Sequence, residues 1–487
     1  MRNKTKFNVQ KVILIGIIIQ LTFLLDSFGQ TKAEKIDELM KLYNEYAQFN
    51  GSVLVAENGK VIFKKGFGLA NMEWEVPNQP DTKHRLGSVT KQFTAMLILQ
   101  LVEEGKLNLN VPITTYLPDY PNKTGDIITI HHLLTHTSGI PNFTSFPDYQ
   151  KDLSINTYSP EALIKIFADS SLQFKPGEKF SYSNSGYLLL GVIIEKVSGK
   201  SYEQILRENI LNPLKMNNTG YDHHETILKN RASGYENKYK NADYIDMSVP
   251  YSAGALYSTV EDLYLWDQAL YNETLLSSKT RDLLFKPYIK AMGRSYGYGW
   301  YVAKDRFGNT GDSLIVIGHS GGINGFNTSI QRIPSDKNLI VLLNNTGSAP
   351  LMEINRAIMS ILYNTPYEMP KKSVAFSLLD VITKNGLTSG LEHFKKIKIS
   401  ENYSLKENEM NSVGYSLLNS NKVAEAIEVF KLNVEAFPKS GNVYDSLGEA
   451  YLVIGNEKLA IENYKKSLEI DPTNTNAKSV LKKLGVN

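Results

Sequence analysis

A hydroxyl and an amine stand three residues apart at Ser88 and Lys91, inside the stretch Arg85-Leu86-Gly87-Ser88-Val89-Thr90-Lys91-Gln92-Phe93. A serine hydroxyl is a weak nucleophile at neutral pH, and a lysine held out of water can lose its own proton and take the hydroxyl's. The pair is therefore a nucleophile with a candidate base. The apolar residues Phe93, Met96, Leu97 and Leu101 follow at helical spacing, which puts both polar side chains on one face of a first helical turn. The same spacing also describes a helix cap followed by a solvated lysine. Two later stretches offer the partners that chemistry would need. Phe180-Ser181-Tyr182-Ser183-Asn184-Ser185-Gly186-Tyr187 is rich in hydroxyls and amides just before an apolar helix. Gly318-His319-Ser320-Gly321-Gly322 leaves a strand into a glycine pair, where main chain can approach a ligand closely. Taken singly, the first also fits a capping loop and the second a tight hairpin turn.

Elements far apart in sequence must hold these residues. Apolar residues at helical spacing predict an amphipathic helix over Ala33 to Phe49 that covers a sheet. Two strand-like runs between Gly51 and Lys65 meet at Asn58-Gly59, the favoured pair for a two-residue hairpin turn. The Ser88 stretch then opens a helix that ends near Gly105. From about 110 to 250 the chain is rich in Pro, Asn, Asp and Tyr, with helical patches at 130–134, 161–167 and 187–197, and it reads as an all-helical insertion with long loops. Leu314 to Ile317, Asn327 to Ile333 and Leu339 to Leu343 read as three antiparallel strands, and Leu351 to Tyr363 as a helix that packs beside the first one. Such an order implies an α/β (α+β) fold in which both chain ends close one sheet.

Composition removes several classes of function. There is no cysteine among the 487 residues, which excludes disulfides, thiol catalysis and a lipoprotein anchor. Arg2, Lys4, Lys6 and Lys11 precede an apolar run from Val12 to Leu25, with small residues at Ser27 and Gly29, the pattern of an export signal ending at residue 29. The run is short against the roughly 20 residues that span a bilayer, with an uncleaved N-terminal anchor as the alternative. The signal holds four basic groups and one acid, so its removal takes the net charge of +3 to about zero, which argues against nucleic-acid and polybasic membrane binding. His131, His132, His136, His223 and His224 lack the spacing of a metal motif, and no metal is expected.

Beyond Thr365-Pro366 the composition shifts to Lys, Asn, Glu and Leu. Here the sequence repeats with a period of 34 residues: Gly414 and Gly448, Ala426 and Ala460, Phe430 and Tyr464, Pro438 and Pro472. This region resembles tetratricopeptide repeats, with clear units at 407–440 and 441–474 and a degenerate one around 380–396. The resemblance implies an α-helical repeat domain over 366–487, suited to a protein partner or to self-association.

The order Ser-x-x-Lys, Tyr-x-Asn, His-x-Gly resembles the serine β-lactamase and penicillin-binding-protein superfamily, in the branch of class C β-lactamases, D-aminopeptidases and esterases. Leu133 to Pro141, Ala253 to Leu263 and Tyr296-Gly297-Tyr298-Gly299-Trp300 support it. The resemblance implies a β-lactamase-like domain over 30–365, with an antiparallel sheet flanked by terminal helices, and neither metal nor cofactor. It implies Ser88 as nucleophile, Lys91 as its activator and Tyr182 as a phenolate-type or shuttling base. Asn184 would hold the substrate, and the His319, Gly321 and Gly322 strand would contribute an oxyanion site shared by the main-chain N–H groups of Ser88 and Gly322. Penicillin-directed members usually carry lysine where this chain has His319, a group mostly neutral at pH 7. The expectation is then an exported, periplasmic or secreted serine hydrolase of esters, amides or D-amino-acid peptides rather than an efficient β-lactamase, with His319 bonding substrate or Tyr182. The alternative is a catalytically silent module that binds a ligand and reports through the repeats.

Overall fold

The computed structural model describes residues 30–238, 240–306, 313–347 and 349–486. The export signal expected over 1–29 lies outside the described residues. The chain divides into two compact units between Met369 and Pro370.

The first unit is built on an eight-stranded antiparallel sheet in which neighbouring strands are consecutive in the chain except at one junction. Helix α1 (Lys32–Glu45) starts at a capping box between Thr31 and Glu34, and it is followed by β1 (Gly51–Glu57) and β2 (Lys60–Phe67), then by α2 (Thr90–Glu103) and α3 (Asn184–Ser198). Six more strands come late: β3 (Ile289–Ala291), β4 (Arg294–Tyr296), β5 (Tyr301–Asp305), β6 (Leu314–Ile323), β7 (Phe326–Ile333) and β8 (Asn338–Asn344), and α4 (Leu351–Leu362) closes the unit. The spatial order is β3-β4-β5-β6-β7-β8-β1-β2, so the N-terminal hairpin adds to the last strand. In β1 and β8 the apolar residues alternate between two cores. Val53, Val55, Ile340 and Leu342 pack with Ile36, Met40, Ile354 and Ile358 from α1 and α4. Leu54, Ala56, Leu339, Val341 and Leu343 pack on the other side with the layer that contains α2 and α3. Both faces are buried, which explains the continuous apolar runs Val53–Ala56 and Leu339–Leu343. Helix α2 is buried from Thr90 to Leu101, polar residues included. A helix apolar nearly all round belongs inside a core, and Lys91 is carried there with it.

Two expectations change. The sheet extends through β3, β4 and β5, whose short runs around Met292-Gly293 leave too few residues for an alternation to show. The stretch from 110 to 250 is not all helical: Gly220–Tyr221 joins Leu256–Ser258 and His84–Arg85 in a three-stranded sheet, and two-residue strands carry no periodicity of their own.

The second unit has its own apolar core. Val374–Ile397 is two helical stretches joined at Gly386, whose φ of 84° breaks the helix. Helices Glu407–Asn419 and Val423–Ala436 pack as one antiparallel pair, and Gly441–Val453 and Glu457–Ile470 as the next. In each pair the glycine faces the aromatic ring of the second helix, Gly414 on Phe430 and Gly448 on Tyr464.

Candidate active site

Gly87 makes the turn that presents Ser88. Gly87–Val89 form a single 3-10 turn and the α-helix begins only at Thr90, so Ser88 stands just ahead of α2 rather than in its first turn. Gly87 has φ of 53°, a left-handed conformation open to glycine at little cost. The turn is pressed against β6. A Cβ on Gly321 would lie 1.9 Å from the Leu86 carbonyl oxygen, and one on Gly87 would lie 2.9 Å from the nitrogen of Gly322. Thr328 Oγ1 donates to the same Leu86 oxygen at 2.8 Å. Glycines on both sides thus let two main chains touch and set Ser88 beside Gly322.

Lys91 is buried and its amine meets three oxygens. Nζ donates to Asn184 Oδ1 and to the Ala253 carbonyl oxygen, both at 2.8 Å, and lies 3.2 Å from Ser88 Oγ. The first two oxygens can only accept, whereas the serine hydroxyl can also donate. Burial holds the lysine well below its ordinary range. The ring faces of Tyr182 and Tyr187, at 4.8 and 5.4 Å from Nζ, favour the cation by about 0.5–2 kcal/mol, less than the cost of full desolvation. In the neutral amine both N–H bonds are committed to Asn184 and Ala253, and the lone pair is left for the proton of Ser88.

Tyr182 has its hydroxyl buried near Ser88. Among the described residues no well-formed hydrogen bond reaches the hydroxyl, and burial pushes its ionisation above the usual tyrosine range, an effect that the nearby Ser88 hydroxyl opposes. Asn184 opens α3. Its main-chain N–H donates to Asn142 Oδ1 at 3.0 Å and its amide to Thr144 Oγ1 at 3.1 Å, while Ser185 bridges to Pro141 and Phe143. Ser88, Asn184 and Gly322 open onto a cavity of about 420 Å³ also bordered by Tyr149, Glu236 and Asn327. Glu236 is the one charged side chain of its wall among the described residues.

His319 sits on β6 with 5 % of its surface exposed, and burial pushes it down to about 3. It does not bond Tyr182, although the two rings are in contact at 6.3 Å. Its Nε2 lies 3.1 Å from the Tyr296 hydroxyl and its Nδ1 is 2.6 Å from the Ser320 carbonyl oxygen, so both ring nitrogens have other partners. Sequence reasoning missed His136 and Tyr296. His136, at φ of 57°, accepts from the Ser183 N–H through Nδ1, and its ring packs tilted against Tyr182 at 4.3 Å. Both lie in stretches that support the family resemblance, yet a histidine in a Thr-His-Thr-Ser-Gly run gives no sign of a left-handed backbone. The other paired histidines serve structure: His132 caps the helix Ile130–Leu134, His131 bonds the Tyr298 hydroxyl at 2.8 Å, and His223 faces Glu203.

The chain is similar in sequence and fold to known proteins. The model of the beta-lactamase family covers residues 33–363. PbpX of Bacillus subtilis (strain 168), named as a penicillin-binding protein, is 33% identical over 341 residues, which span 69% of this chain and 81% of that protein. Among solved structures, an octameric penicillin-binding protein homologue from Pyrococcus abyssi matches at 31% identity and TM-score 0.60, over 72% of this chain and 81% of that one. A D-stereospecific amidohydrolase from Streptomyces sp. matches at 25% identity and TM-score 0.54, over 65% of this chain and 97% of that one. The family match ends at residue 363, ahead of the helical second unit. Residues 33–363, which include the Ser88 turn, belong to the beta-lactamase family.

Proposed function

We propose that this chain is an exported serine hydrolase that opens an amide or ester bond through an acyl-enzyme on Ser88. The observation that carries the reading is the coordination of Lys91: a buried amine with both N–H bonds held by carbonyl-type oxygens and its third contact the Ser88 hydroxyl. The neutral amine takes the Ser88 proton as Oγ attacks the substrate carbonyl. The main-chain N–H groups of Ser88 and Gly322 receive the developing oxyanion, at about 3 kcal/mol for each fixed donor in a dry site. Tyr182 passes a proton to the leaving group, and water then releases the acyl group from Ser88. Burial disfavours a resting phenolate at Tyr182, so it acts as a relay and Lys91 as the base.

The substrate reading follows from charge. A neutral His319 and a cavity wall whose one charged side chain among the described residues is Glu236 suit neutral or ammonium-bearing acyl donors, among them D-amino-acid amides and peptides, better than a carboxylate-bearing β-lactam. The helix pairs beyond residue 370, with a glycine against an aromatic ring in each, support a tetratricopeptide-like surface for a protein partner or for self-association.

Incubation with a fluorophosphonate, followed by mapping of the adduct, tests the nucleophile. Ser88 should carry the label, and Ser88→Ala should lose both the label and p-nitrophenyl ester hydrolysis. Hydrolysis that survives in Ser88→Ala would overturn the reading. In the same assay, D-amino-acid anilides should be turned over faster than a chromogenic cephalosporin.

A further inference from the structure

Four hydrogen bonds join five polar groups into a chain whose protons, with both histidines neutral, can be placed in one way. His136, Tyr296 and His319 are 1 %, 0 % and 5 % exposed. The Ser183 main-chain N–H points at His136 Nδ1 at 3.1 Å, His136 Nε2 lies 3.2 Å from the Tyr296 hydroxyl, that hydroxyl lies 3.1 Å from His319 Nε2, and His319 Nδ1 lies 2.6 Å from the Ser320 carbonyl oxygen. The two ends fix the direction, because a main-chain N–H must donate and a carbonyl oxygen must accept. Nδ1 of His136 is therefore bare and its Nε2 carries the proton. Tyr296 accepts from it and donates to Nε2 of His319, whose single N–H goes to Ser320. The neighbouring Tyr187 hydroxyl gives its proton to the Leu134 carbonyl oxygen at 3.0 Å, so it has none to donate to Tyr296.

This chain spans the two walls of the site. One end is the loop that carries Tyr182 and Asn184, the other is the strand that carries Gly321 and Gly322. We propose that His136 and Tyr296 are positioning residues that tie the Tyr182 loop to the His319 strand and keep His319 a neutral Nδ1–H tautomer whose proton is used by its own strand. His319 then offers substrate neither a charge nor an N–H, and recognition at that wall falls to main chain. The inference rests on the serine hydrolase reading for its catalytic consequence, not for its geometry. A left-handed backbone at His136, which side chains rarely adopt, is held by the Ser181 N–H to His136 carbonyl bond at 2.9 Å together with the two ring contacts. The titratable groups around His319 are Lys91, Tyr182, Tyr296 and Tyr301, with Arg294 over the Tyr301 ring, and the small cavity that His319 borders adds Asp305 and Arg356.

Long-range proton–nitrogen NMR of the 15N-histidine-labelled full chain at pH 7 reads the tautomers without turnover, so a protein inactive on every ester would still test the chain. The expected spectrum has His136 as Nε2–H and His319 as Nδ1–H, each assigned by its Asn variant. Tyr296→Phe removes the donor to Nε2 of His319, so it should shift the His319 Nε2 resonance and lower kcat by about tenfold or more, with KM within about twofold. A wild-type His319 protonated at Nε2 overturns the proposal. So does a folded Tyr296→Phe with the wild-type kcat and the wild-type His319 spectrum. Should Tyr296→Phe fail to fold, the wild-type tautomers alone decide.

Discussion

Glycine lets helices and strands touch in both units, but it does so against different partners. In the first unit Gly87 and Gly321 bring main chain against main chain, joining a turn at residue 87 to a strand more than two hundred residues later. In the second, Gly414 and Gly448 each receive an aromatic ring from the next helix, Phe430 and Tyr464. A main chain held by its own hydrogen bonds cannot step aside for a methyl group, whereas a ring on a helix can tilt. The first arrangement fixes two N–H groups beside a hydroxyl, and the second fills a groove. The same residue thus serves geometry in one unit and volume in the other.

The sharpest way to break that contrast is Gly321→Ala. Its Cβ would meet the Leu86 carbonyl oxygen at 1.9 Å and Thr328 Oγ1 at 2.4 Å, so β6 and the Ser88 turn must separate. We expect kcat/KM for a p-nitrophenyl ester to fall by about 10²–10³, the loss that follows when an oxyanion donor is removed. Circular dichroism checks that the fold is retained. A folded variant within about threefold of wild type would show that the close approach is packing and not catalysis.

The contrast also explains what the sequence made legible. The repeats were readable because each contact lies within one 34-residue period, and the small–aromatic pairs recur in the linear string. Ser88, Lys91, Tyr182, Asn184 and His319-Ser320-Gly321-Gly322 were selected by a family resemblance, and the structure brings them together. Spacing alone would have left Ser88 and Lys91 as a cap and a surface charge. What no local pattern encodes are the partners from elsewhere: the Ala253 carbonyl on Lys91, the Tyr296 hydroxyl on His319, Glu236 in the cavity wall. The strands β3 to β5 were missed for a related reason, since runs of three to five residues acquire their identity from the sheet they join.

A second difference between the units is acid sensitivity. The buried histidines His84, His136 and His319 all lie in the first unit. Burial pushes His84 down to about 4, below the roughly 6.5 of an unfolded chain. Between those values the unfolded state binds a proton that the folded state does not. The stability held at neutral pH is therefore lost as pH falls from 6.5 towards 4, at about 1.4 kcal/mol per pH unit for this one group. Calorimetry of the full chain between pH 7 and 5 should show the transition of the first unit dropping. His84→Phe, which keeps an aromatic ring against Phe326, should reduce that slope by about the same 1.4 kcal/mol per unit. An unchanged slope would mean that His84 is charged in the folded protein.

The smallest effects are expected in the repeats, and their order is itself informative. Alanine at either glycine gains about 1 kcal/mol of helix propensity. At Gly448 the new Cβ would stand 3.2 Å from the Tyr464 ring, a contact that a slight tilt relieves, so Gly448→Ala should change unfolding free energy by less than about 1 kcal/mol. At Gly414 the Cβ would stand 2.4 Å from Phe430, a ring with no exposed surface, and overpacking costs about 1–3 kcal/mol, which outweighs the propensity gain. Gly414→Ala should therefore be the less stable of the two, and both should keep the wild-type kcat/KM, because neither touches Ser88 or its partners. Chemical denaturation followed by helical circular dichroism, beside the ester assay, measures both quantities on the same samples. If Gly414→Ala proves as stable as Gly448→Ala, the ring yields freely and the groove is looser than its burial implies. If either variant loses turnover, the second unit is coupled to the Ser88 site, and the separation of volume from geometry between the two units fails.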